Sequence, residues 1–415
     1  MRHVCVVGAG VIGVTSAWAL AEAGWRVQLI DRTGATALGT SYCNGGQLSY
    51  RYVSPLADAG VPLKALKWLL QPDGPLRVRP QVDLAQWRWL AQFLARCHGR
   101  ANREMTARLV QLGEYSRRCL AELMALQPLR EFGWREAGKL VVHRDAASFA
   151  RAARAAGESN ERRALTPAEC LEIEPAMAAL APQVHGGILD RREAVADCHE
   201  FCKSLLERLE VHPNFAGLQD DEVLAIVPDG ATRVALRTRT GRRGADAVVI
   251  ANGIASRSLL LAAGRRVPLY PLKGYSLDLP IAEYHVAPRL SITDFERKVL
   301  YARLGHRLRV AAMVDLAGED SSIDPRRLAS LMRIVQQDMP NAGDFANAAP
   351  WAGLRPATPD GAPLIGRGHL PGLWLNIGHG GLGFTFACGS ANVLARQMTA
   401  GRHSSPAPDF DWPSP

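Results

Sequence analysis

The chain has 415 residues, more than one ordinary hydrophobic core accommodates, so two domains are expected. With 47% hydrophobic and 21% charged residues it reads as a globular protein and not as a disordered, fibrous or membrane-spanning one. Its 49 basic and 40 acidic residues give a net charge of +9, but the arginines are dispersed without a basic run, which excludes a nucleic-acid partner and leaves a bias suited to a small anionic substrate or to lipid headgroups.

The first element is a short buried strand over residues 4–7, followed by a turn and the helix "VIGVTSAWALAEAG", which Gly24 closes. The uncharged run 4–21 resembles a signal peptide or anchor in composition, yet glycines interrupt it and a second strand, "RVQLI", follows directly, so no targeting segment is expected. Gly8, Gly10 and Gly13 form GxGxxG between the strand and the helix. The first glycine permits the tight turn, the second lets a pyrophosphate approach the backbone, and the third lets helix and strand pack closely. Asp31 lies 18 residues beyond Gly13 at the end of the second strand, where a carboxylate can accept hydrogen bonds from a ribose and disfavours a 2'-phosphate. The pattern predicts a dinucleotide site without separating NAD from FAD.

After residue 50 the chain becomes richer in proline and glycine. "DLAQWRWLAQFLARC" sets Leu84, Trp87, Leu90, Leu94 and Cys97 at helical spacing; Trp68, Trp87 and Trp89 are expected in the core, with membrane or partner contact as the other reading. A long helix over about 101–127 and the strand "GKLVVHR" follow. Cys198 and Cys202 flank His199 on an amphipathic helix over 197–210, where core packing is expected and no metal site. The eight cysteines show no CxxC pairing, which fits a reducing, cytoplasmic compartment. "DAVVIANG", ending in Gly253, reads as a buried strand of the first domain, and the strands near 266–316 as an antiparallel set. Near the end come "WAGLRPATPDGAPLIG" and "NIGHGGLGFTFACGSA", a strand, a glycine-rich turn and a helix.

These separate stretches, together with "LIDR", "TSYCNGGQLS", "VSPLADAGVPLKALKW" and "PLKGYSLDLP", resemble the flavoprotein family that includes D-amino acid dehydrogenases, glycine oxidase and sarcosine oxidase, and the resemblance covers nearly the whole chain. It implies a Rossmann-like α/β FAD-binding domain over 1–55, 185–265 and 345–405, interleaved with an α+β substrate domain over 56–184 and 266–344 that carries a mainly antiparallel sheet, and a flexible tail over 406–415. Around FAD it puts Val11 and Ile12 beside the pyrophosphate, Asp31 and Arg32 at the adenosine ribose, and Val223 at adenine. Thr40, Ser41, Gly45, Gly46 and Gln47 line the path to the flavin ring. The turn Gly378, His379, Gly380, Gly381, Leu382, Gly383, Phe384 and Thr385 lies under its pyrimidine edge. Glycine amides opening a helix there suit negative charge developing at flavin N1 and C2=O.

In glycine oxidase relatives the arginine of "GLRP", here Arg355, forks onto the substrate carboxylate, a geometry that guanidinium serves better than an ammonium. Tyr301, with Tyr275 as rival, is the candidate to assist it. The arginine that follows the turn histidine in glycine oxidase is a glycine here, and no cysteine precedes "TPD", so FAD is expected to be noncovalent. The resemblance implies oxidative deamination of D-amino acids by hydride transfer from Cα to flavin N5, with electrons passed to an acceptor such as a quinone and with peripheral membrane contact left open. The other readings are a D-proline or D-hydroxyproline dehydrogenase, a glycine or sarcosine oxidase-type amine oxidase, an NAD enzyme, and a non-catalytic flavin-binding subunit.

Overall fold

A computed structural model describes residues 2–69, 71, 74–157, 161–231, 233–399, 412 and 415. Its first sheet runs in the order Leu364–Arg367, Leu373–Ile377, Ala247–Ile250, His3–Val7, Arg26–Asp31, Phe215–Asp220. All its pairings are parallel except the one between Leu364–Arg367 and Leu373–Ile377. Both faces are covered, which is why the strand at residues 4–7 is continuously apolar. One face packs on Val11–Glu22, Gly99–Leu126, Cys198–Glu210 and Gly383–Thr399. The other packs on Ser256–Ala262 and on a small three-stranded sheet that includes Val223–Asp229.

The second sheet has nine strands, eight of them in the order Ala349–Ala357, Tyr270–Pro280, Arg307–Leu316, Val299–Leu304, Ser291–Asp294, Lys139–His143, Gly186–Asp190, Arg162–Leu165, with Leu76–Val78 paired to Arg307–Leu316. Most of its pairings are antiparallel, as expected for the strands near 266–316. Gly186–Asp190 and Ala349–Ala357 belong to this sheet, whereas the expected boundaries at 185 and 345 assign both to the other one. Backbone pairing with Lys139–His143 and Tyr270–Pro280 decides this.

Cys198 and Cys202 are buried, and no group of His, Cys, Asp or Glu suited to a metal ion occurs among the described residues. The tryptophan-rich helix Leu84–Arg96 departs from expectation: Trp89 is buried, but Trp87, Leu84 and Leu94 are exposed at 50%, 71% and 54%. Its apolar spacing describes two faces, only one of which meets the core. The expected tail 406–415 lies outside the described residues apart from Trp412 and Pro415, and Trp412 is buried, its indole N–H donating to the Pro363 carbonyl at 3.1 Å. No helix among the described residues is long and apolar enough to cross a membrane.

Candidate active site

One large cavity of about 1360 Å³ runs between the two sheets, from Asp31, Arg32 and Val223 past the first glycine turn to Arg355 and the final glycine turn. That exceeds the usual span of small-molecule pockets, roughly 300–1,000 Å³, and leaves room for a dinucleotide and a second molecule.

The first glycine turn is built for close backbone approach. Gly8 has φ +102°, and a Cβ there would sit 2.6 Å from Asn252 Cα. A Cβ at Gly13 would overlap the Gly8 carbonyl oxygen, so Gly13 serves helix packing and does not itself line the cavity. At Gly10 only the Ser41 hydroxyl, 3.3 Å away, would meet an added Cβ; that hydroxyl accepts from Val11 N–H at 3.1 Å. Asp31 accepts from Ala9 N–H at 2.8 Å and from Thr33, which ties the end of its strand to the turn. Gly45, Gly46, Gln47, Thr40, Val11, Ile12, Arg32, Val223 and Gly253 also line the cavity, Thr40 with its hydroxyl donating to the Leu354 carbonyl at 2.7 Å.

In the final turn, Gly378 to Phe384 line the cavity, with φ +85° at Gly378 and +56° at Gly380. Thr385 does not line it; its hydroxyl accepts from Ser49 N–H at 3.2 Å and joins the helix to the loop across from it. The His379 Nε2 is buried without a partner among the described residues, and burial depresses its pKa to about 3, so the ring is neutral and no general acid. An orphaned ring nitrogen, amides opening a helix and a first turn stripped of Cβ atoms fit the polar edge and the pyrophosphate of FAD.

Arg355 lies on Ala349–Ala357 with its guanidinium turned to the cavity. Its one protein hydrogen bond is Nη1–H to the Met313 carbonyl at 3.0 Å, and no carboxylate lies within ion-pair distance among the described residues. Desolvation lowers its pKa from 12.5 to about 10, opposed by the charge of Asp315, so at neutral pH it remains a cation. Two backbone features make this placement possible. Met313, at φ +68°, sits where the pairing of Tyr270–Pro280 with Arg307–Leu316 slips between Lys273 and Tyr275, one of three non-glycine residues described in the left-handed region. Gly274 lies beneath the guanidinium, where any Cβ would overlap Nη2.

The tyrosine candidates are corrected by strand alternation. Leu300 lines the cavity, so Tyr301, the next residue on its strand, points to the opposite face, where its hydroxyl lies 3.3 Å from Asp338. Tyr275 follows Gly274 and likewise turns away: its ring belongs to the same cluster as Tyr301 and its hydroxyl donates to Asp315 at 3.0 Å. Tyr275 contributes to the cavity wall, but neither hydroxyl is directed to Arg355. Asp315 also pairs with Arg77 and, at 3.0 Å, with Arg327, forming a buried network behind the sheet.

Sequence reasoning missed Lys139. It is 2% exposed and lines the cavity, with its ammonium donating to Gln47 Oε1 at 2.6 Å and Ser49 Oγ at 2.7 Å; burial holds its pKa below the usual amine value. The lysine interrupting the apolar run "GKLVVH" was the available signal. Gly274 and Met313 carried none, because their roles arise from cross-strand register.

A nucleotide-type parallel sheet facing an antiparallel sheet across such a cavity fits a flavin-dependent oxidoreductase. The family model described as FAD dependent oxidoreductase matches residues 3–397, and the chain belongs to that family, with FAD as its cofactor. It is 51% identical over 397 residues to D-amino acid dehydrogenase 2 of Pseudomonas aeruginosa, covering 96% of this chain and 95% of that protein. It is 44% identical over 405 residues to D-amino acid dehydrogenase 2 of Ralstonia nicotianae, with 95% of each covered. Among solved structures it resembles glycine oxidase from Bacillus cereus, at TM-score 0.72 and 19% identity over 97% of this chain and 96% of that one.

Proposed function

We propose that this protein oxidises D-amino acids to imino acids, which hydrolyse to 2-oxo acids and ammonia, and that Arg355 holds the substrate carboxylate. The carrying observation is the guanidinium itself: a part-buried, desolvated cation facing a cavity with one carbonyl partner and no carboxylate within ion-pair distance among the described residues. Such a group is costly unless a ligand anion completes it. Its relatives' names support the reaction class. Noncovalent FAD, when bound, supplies the acceptor for the Cα hydride. Arg355 orients the carboxylate, the walls exclude water, and no protein base is required if the amine arrives neutral, which agrees with the depressed pKa of His379.

The electrons then pass to an acceptor such as a quinone at a membrane surface. The helix Leu84–Arg96 supports this, because Trp89 and Phe93 line the cavity while Leu84, Trp87 and Leu94 present an exposed apolar stripe. The deciding experiment is anaerobic bleaching of the flavin against a panel of D- and L-amino and imino acids. D-enantiomers are expected to bleach it, and Arg355→Ala to weaken apparent affinity by about 100-fold or more. Normal affinity in that variant overturns the assignment.

A further inference from the structure

We infer that Trp351 and Phe93 determine specificity beside Arg355, and that they select amino acids with apolar, branched or ring-shaped side chains over acidic and basic ones. The inference rests on the reading of Arg355 as carboxylate anchor. Trp351, Gly353 and Arg355 alternate onto the cavity face of Ala349–Ala357, and all three line the cavity. Opposite them in register stand Ser276, Gly274 and Leu272. Two glycines, Gly274 and Gly353, therefore face each other across the pair and form a floor without side chains.

Each glycine is covered by one large side chain. A Cβ on Gly353 would overlap Cη2 of Trp351, and one on Gly274 would overlap Nη2 of Arg355. Indole edge and guanidinium thus lie over neighbouring positions of one cross-strand pair, whose Cα atoms are about 5 Å apart in such sheets. A carboxylate forked onto the guanidinium carries its Cα substituent within reach of the indole. On the other side, Trp89 donates its indole N–H to the Ala357 carbonyl at 2.9 Å, packs with Leu272 and stacks on Phe93 at 5.2 Å between ring centroids.

Among the described residues, no second charge serves this socket. Asp31, Arg32, Asp221 and Glu222 line the end near the first sheet and the strand beginning at Val223; Glu319 lies 3.6 Å from Arg257; Lys139 is five strands away from Ala349–Ala357. A charged side chain would be desolvated there without a partner, whereas an apolar one meets aromatic walls.

The test uses the full-length holoenzyme with Trp351→Ala, Trp351→Phe and Phe93→Ala. kcat/KM for D-leucine, D-proline and D-phenylalanine is compared with that for D-alanine, and binding of benzoate with that of acetate, followed by perturbation of the flavin spectrum. The expected result is a fall of about tenfold or more in the bulky-to-small ratio and in the benzoate-to-acetate ratio for Trp351→Ala, a smaller fall for Phe93→Ala, and partial recovery in Trp351→Phe. D-glutamate and D-lysine are expected to be poor substrates of the unaltered protein. Ratios that stay unchanged in both alanine variants, or efficient turnover of D-glutamate, overturn the inference. Failure of the underlying reading looks different: acetate binding would then survive Arg355→Ala.

Discussion

Arg355 occupies its position because a neighbour lacks a side chain. Gly274→Ala would push Nη2 aside without removing the charge, so its expected effect is a rise in KM of about tenfold with FAD content unchanged, measured by steady-state kinetics and flavin absorbance. Full retention of KM would mean that the guanidinium does not bind substrate from this place. The lowered pKa adds a pH test. kcat/KM reports the free enzyme and free substrate, so it should rise as the substrate amine deprotonates and then fall as Arg355 loses its proton near pH 10. Anaerobic flavin reduction at low substrate from pH 7 to 11 checks this, and a profile still climbing at pH 11 contradicts it. The sign for stability is opposite. Burial lowers the folded-state pKa from 12.5, so the unfolded chain binds more protons between about 10 and that value and folding gains stability as pH rises there.

At the level of elements, the glycine turn and the exposed helix each carry a prediction. Gly13→Ala would drive a methyl into the Gly8 carbonyl; since backbone must move, the protein is expected to purify without FAD and to lose about 3 kcal/mol or more in denaturant titration. Replacing Leu84, Trp87 and Leu94 together by serine should abolish sedimentation with anionic phospholipid vesicles while leaving flavin content intact, because Trp89 and Phe93 on the inner face are untouched. Equal sedimentation of the variant would dismiss the membrane reading. These elements also show what was legible. GxGxxG followed by Asp31 at the end of the next strand marked a glycine turn that the structure sets against the cavity, since its requirements are local in the chain. The choice of tyrosine failed because it depends on which sheet face a hydroxyl takes: Leu300 holds the cavity face beside Tyr301, and Tyr275, though part of the cavity wall, sends its hydroxyl to Asp315. The exposed stripe on Leu84–Arg96 failed for a related reason: helical spacing identifies an apolar face but not what covers it.

At the scale of the molecule, the cavity is the seam between two sheets that otherwise have separate cores. Val7, Ile30 and Ile377 come to it from the parallel sheet, and Leu272, Leu300, Ala311 and Thr293 from the antiparallel one. The chain crosses between the sheets repeatedly, so a dinucleotide lying in the seam touches segments distant in sequence and binds only when both sheets are assembled. Linkage then requires FAD to stabilise the whole fold: at 100 times its dissociation constant it contributes about 2.7 kcal/mol, a rise of roughly 3 °C in Tm for a chain of this size. Differential scanning calorimetry of flavin-stripped and reconstituted protein should show that rise as the shift of a single transition. Arg355→Ala should retain the shift, because the role proposed for its guanidinium lies at the substrate end, whereas Gly13→Ala should lose it. A Tm indifferent to FAD, or a shift confined to one of two separate transitions, would mean that the cofactor rests on one sheet alone and that the seam is not what unites the fold.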